Sequence, residues 1–85
     1  SMEKFVLSAH AQTVINERSI DLAWLERVLT GPQRVESAEE HPDLRHALGR
    51  IPEHGDRVLR VIYNAGVDPV RIVTVYFDRK MRDKL

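Results

Sequence analysis

Eighty-five residues suffice for one domain built on one hydrophobic core. Thirteen basic and thirteen acidic side chains cancel, so bulk electrostatics does not by itself make this chain a nucleic-acid binder. Cysteine is absent, which removes disulfides, thiolate nucleophiles and thiolate metal sites; no apolar run approaches the ~18 residues of a membrane span, and a soluble, cytoplasmic protein is expected.

In chain order, Lys4–Leu7 reads as a short first strand. Ser8 suits a helix N-cap, because its hydroxyl can accept from an orphan N–H of the first turn. Ala11, Val14, Ile15 and Arg18 then recur on one helical stripe. Asp21 caps a second helix whose stripe is Leu22, Leu25, Val28 and Leu29, with Trp24 at the edge of the helix pair. Gly31-Pro32 ends it, since glycine tolerates a left-handed C-cap and proline cannot continue the helix.

After Pro32 the period changes. "QRVESAEE" reads as an acidic edge strand, and His41-Pro42-Asp43 as a turn. "LRHALGRI", "RVLRVIYN" and "VRIVTVYFDR" are strand-like runs rich in β-branched residues. "PEHGD" predicts a tight two-residue hairpin turn about Gly55, and "AGVDP" a five-residue connection. "KMRDKL" is a basic tail. The order β-α-α-β-β-β-β predicts an α+β domain with two helices packed on one face of a mainly antiparallel sheet.

Strand alternation then sorts side chains. A two-residue turn at Gly55 puts Leu44, His46 and Leu48 on the helix-covered face with Leu59, Val61, Tyr63, Val73, Val75 and Phe77. The open face receives Arg45, Ala47 and Gly49 with Val58, Arg60, Ile62, Ile72, Thr74 and Tyr76. The charges are also unevenly spread along the chain. Residues 1–42 carry four basic and seven acidic side chains, residues 43–85 nine and six, so an acidic first half balances a basic second half.

His10 stands in the first turn of the first helix, where the helix dipole disfavours imidazolium and leaves a neutral ring able to accept a proton. It either completes the helix start with Ser8 or serves as a general base. Arg60 lies mid-strand between Leu59 and Val61, where a guanidinium calls for a partner or a ligand such as phosphate. Arg45, Arg79 and Lys80 can extend that basic footprint, and Tyr76 can stack or donate to an anionic oxygen. The four histidines share no ligand-type spacing, so neither metal nor cofactor is expected.

"SAHAQTVINERSI", "LERVLTGP", "RVLRVIY" and "IVTVYFDR" together resemble a bacterial domain-of-unknown-function family with the pattern S-x-H-A-x-x-R-M-x-x-R-x-I and a closing V-T-V-Y. That family is similar to BrnT and RelE-type toxins, small ribonucleases of toxin–antitoxin pairs. The resemblance implies one toxin-like domain over residues 4–80, a basic tail over 81–85, and a surface that meets RNA. It implies metal-independent cleavage in which His10 activates the ribose 2′-hydroxyl. Arg60, helped by Arg18 or Arg45, would stabilise the phosphoryl oxygens, and Tyr76 would position the nucleotide. Val14 departs from the pattern, which usually has a basic residue there. The alternative is a catalytically inactive module whose basic sheet face docks RNA or a partner protein such as a cognate antitoxin; a homodimer is compatible with either.

Overall fold

The computed structural model describes residues 5–39 and 41–85; Lys4 and Glu40, expected at the ends of the first strand and of the acidic segment, lie outside them. Its elements are β1 (Phe5–Leu7), α1 (Ala9–Arg18), α2 (Leu22–Thr30), β2 (Arg34–Ser37), β3 (Leu44–Ile51), β4 (Arg57–Asn64) and β5 (Val70–Phe77), with 3-10 turns at Pro52–His54 and Arg79–Met81. The five strands form one sheet in the order β1-β5-β4-β3-β2. β1 runs parallel to β5 and every other pairing is antiparallel. This is the α+β arrangement expected from the sequence, with α1 against β5 and β1, and α2 across β3 and β4.

Both helices start on their expected caps. The Ser8 hydroxyl accepts from the Ala11 N–H at 3.0 Å and donates to the Val73 carbonyl at 3.0 Å, so it fixes α1 to β5 as well as capping it. The Asp21 carboxylate accepts from the Ala23 N–H at 2.8 Å. Ala11 and Ile15 from α1 and Leu25 and Val28 from α2 are buried against Ala47, Ile51, Leu59, Val61, Ile72 and Val75 of the sheet. Trp24 is half-buried beside this core, as its place at the helix edge suggested.

The faces differ from expectation in β3. The connection from β3 to β4 is five residues, Pro52–Asp56, built from a 3-10 turn followed by two left-handed residues, Gly55 and Asp56. Ile51 therefore pairs with Arg57 and Leu48 with Arg60, so even residues of β3 meet even residues of β4. A two-residue turn would have paired odd with even. The whole of β3 is consequently inverted relative to the expected set: Ala47 and Gly49 lie under the helices, while Leu44, His46 and Leu48 lie on the far face. A second correction concerns Ile72. β4 and β5 pair even with even from Arg60–Tyr76 to Ile62–Thr74, but the register shifts after Ile62 and Tyr63 pairs with Ile72. That irregularity turns Ile72 inward, and it is fully buried in the main core.

The far face is partly covered by the chain's own end. Leu48, Val58 and Met81 form a second apolar cluster with Leu85 packed on it. Arg50 binds the segment down through the carbonyls of Arg82 and Leu85. Residues 81–85, expected as a basic tail, thus include a buried methionine.

Gly49 faces Val28, and a Cβ added there would come within 3.1 Å of a Val28 methyl. Gly49→Ala should lower unfolding stability by about 1–2 kcal/mol through overpacking, read as a lower urea midpoint with an unchanged m-value. A second prediction concerns acid. Arg27 grips Glu53 with two hydrogen bonds of 2.8 and 2.6 Å, and these, followed by the backbone bond to Glu53, pull the carboxyl from its ordinary 4.5 down to about 2. A depressed carboxyl contributes stability above its unfolded value and loses it as pH falls through its folded value. Glu53→Gln should therefore lower the melting temperature slightly at pH 7, with the gap to wild type closing as pH falls from 4.5 to about 2.

Candidate functional site

Two features concentrate charge, and they share one residue. The first is a network on the far face. Arg60 is only 8% exposed, and its guanidinium donates from Nε to Asp78 Oδ2 at 2.8 Å and from Nη1 to Glu36 Oε1 at 3.1 Å. Nη1 also lies 2.7 Å from Nδ1 of His46. Glu36 is held in addition by Arg34 at 3.0 Å. Burial opposes the charge on Arg60, but the bonds from Glu36 and Asp78 outweigh it, and the net shift of its pKa is upward.

His46 belongs to this network rather than to the helix-covered core, because the inverted β3 carries it to the far face. A guanidinium can only donate, so His46 accepts at Nδ1 and carries its proton on Nε2. Nε2 is buried without a hydrogen-bond partner among the described residues. An orphaned buried donor typically costs about 1–3 kcal/mol, which the other bonds of the network must offset.

The second feature is a cleft of about 430 Å³ at the end of the sheet where β4 begins and β5 stops. Arg18 from the last turn of α1, Arg57 from β4, and Arg79 and Arg82 from the C-terminal 3-10 turn line it, with Val58, Phe77 and Asp78. Four guanidinium side chains thus meet one carboxylate in a chain whose net charge is zero. Among the described residues, Arg18, Arg57 and Arg79 have no carboxylate partner. Arg82 donates to the Gly55 carbonyl at 3.2 Å. Phe77 also anchors a ring cluster, its centroid 4.9 Å from His54, which in turn lies 5.0 Å from Trp24.

The expected site residues are therefore divided. Arg18 and Arg79 come together in the cleft. Arg60 and Tyr76 are cross-strand partners on the far face, Tyr76 exposed beside the network. His10 is exposed on α1, in the layer on the opposite side of the sheet from Arg60, so the two do not share a surface. His10 and Arg18 occupy opposite ends of α1, about 12 Å apart along its axis at 1.5 Å per residue. Arg45 is spent on the carbonyls of Pro42 and Leu44, at 2.5 and 3.0 Å. Lys80 is exposed outside the cleft lining. Arg57 and Arg82 went unnamed as site residues in the sequence reading. A signal for Arg82 was present in "DRKMR": an aspartate cap followed by arginines three apart, which eclipse in a 3-10 turn.

What the fold and this cleft define is a small α+β domain with a cationic mouth at one end of its sheet. Residues 7–77 match the family described as "Domain of unknown function (DUF4258)", and the chain belongs to that family. No curated protein and no solved structure matches it. Among the described residues no helix is long and apolar enough to cross a membrane.

Removing the guanidinium of Arg60 leaves the largely buried Asp78 carboxylate without its ionic partner and Glu36 with Arg34 alone. Arg60→Met should cost about 3 kcal/mol in a urea unfolding titration, whereas exposed Arg71→Met should change stability by less than about 0.5 kcal/mol.

Proposed function

We propose that this chain is an RNA-docking module that holds a phosphodiester backbone in the cleft of Arg18, Arg57, Arg79 and Arg82. The observation that carries the reading is the gathering of those four side chains, three of them without a carboxylate partner among the described residues, in one cleft. Guanidinium groups suit phosphate because each can donate two parallel charge-assisted hydrogen bonds. A localised cluster gives a neutral protein a steering field that its total charge does not. The likeness to BrnT and RelE-type toxins, bacterial proteins that meet RNA, supports the same ligand class.

The binding reading is preferred to ribonuclease chemistry because the proposed base and the proposed phosphate-stabilising arginine lie on different sides of the sheet. Cleavage led by His10 would need a phosphate held near the start of α1, while Arg18 stands at the other end of that helix. Val14, in place of the usual basic residue, fits a domain that binds without cutting.

Fluorescence anisotropy with a labelled single-stranded RNA of about twelve nucleotides tests the proposal. Affinity should fall linearly in logarithmic salt, and Arg57→Ala or Arg79→Ala should each weaken binding roughly fivefold to tenfold and lower the salt slope by about 0.7. His10→Ala should leave affinity unchanged, since His10 is outside the cleft. Tight binding of an acidic peptide with no RNA binding would reject this reading in favour of protein docking. Metal-independent cleavage abolished by His10→Ala would restore the enzymatic one.

A further inference from the structure

Arg60 is the most buried charge among the described residues, yet its guanidinium faces carboxylates and a histidine rather than the cleft. Asp78 joins the two. Its Oδ2 accepts from Arg60 Nε at 2.8 Å, and its Oδ1 accepts from the Lys80 N–H at 3.0 Å. The same carboxylate is thus pinned from below by a buried arginine and caps the 3-10 turn that presents Arg79 and Arg82 to the cleft.

Two further contacts make this a defined linkage. The Asp78 N–H donates to the Val58 carbonyl at 2.8 Å, which fixes the backbone at the root of the turn. Met81 enters the apolar cluster with Leu48 and Val58 on the far face. Arg79 and Arg82, three residues apart on either side of that anchor, both line the cleft. A 3-10 turn of three residues has few hydrogen bonds of its own and needs such outside support.

We propose that Arg60 is a positioning residue for the arginine cleft, acting through Asp78 to set the turn that carries Arg79 and Arg82. This rests on the RNA-docking reading and deepens it. Arg60 does not touch the ligand; it orients the carboxylate that orients the turn.

The proposal predicts a sign opposite to simple charge counting. Asp78→Ala removes the one acid from a cationic cleft, so electrostatics alone would tighten RNA binding. Loss of the cap should instead weaken it. The experiment is a double-mutant cycle on the full chain with Arg60→Met, Asp78→Ala and the double variant. Binding of the labelled single-stranded RNA is measured by anisotropy, and amide hydrogen exchange at Lys80 by NMR. Each single variant should lose RNA affinity about fivefold to tenfold, and the double variant no more than either single, because both act on one linkage. Exchange at Lys80 should quicken at least tenfold in all three.

RNA binding by Asp78→Ala that is tighter than wild type overturns the proposal, as do losses that multiply in the double variant. Should Arg60→Met fail to fold, Asp78→Ala alone still decides by its sign. If wild type binds no RNA, the docking reading fails, and Lys80 exchange then decides whether Arg60 sets the turn at all. Unchanged exchange in a folded Arg60→Met variant would reject that as well.

Discussion

The five residues between Ile51 and Arg57 determine which way every side chain of β3 points. With that connection at its observed length, Ala47, Gly49 and Ile51 face the helices, and Gly49 leaves room for Val28 to sit directly on the sheet. The same inversion delivers His46 and Leu48 to the far face. Leu48 there gives Met81 a surface to pack on, and His46 gives Arg60 an acceptor. Core, ionic network and the seat of the C-terminal turn therefore follow from one count of loop residues.

Arg60 illustrates how a charge can stay inside a small domain. Its two carboxylate partners come from opposite directions, Glu36 from the edge strand β2 and Asp78 from the end of β5. The guanidinium fork can serve both, which a lysine ammonium does less well. The arrangement spans the sheet from its edge to the strand end, so it ties distant parts of the chain together as much as it neutralises them.

Much of this architecture was legible in the sequence. Ser8 and Asp21 announced the helices and the β-branched runs marked the three long strands; Gly31-Pro32 did close the second helix, but Gly31 caps it at φ −140° rather than in the expected left-handed conformation. Arg60 stood out as a mid-strand charge. What could not be read was geometry that depends on parity. "PEHGD" is compatible with a tight turn or with a 3-10 turn ahead of two left-handed residues, and the choice reverses a strand. The register shift after Ile62 left no local mark either, since both faces of β5 carry apolar residues. The cleft was hidden for another reason: Arg18, Arg57 and the Arg79–Arg82 pair come from three separate places in the sequence, and only tertiary packing brings them to one cleft.

The hydroxyl of Ser8 reaches the carbonyl of Val73, 65 residues further along the chain, and β1 lies in parallel register against β5. Among the described residues, the first strand therefore has its only sheet neighbour in the last of the five to be synthesised. Until β5 has left the ribosome, β1 has no ladder to join and α1 lacks the surface that buries Ala11 and Ile15. Closing so large a loop must precede its reward, so sheet completion at this edge is a late event in folding. The hairpins of β2, β3 and β4, built from neighbours in sequence, are free to form before it.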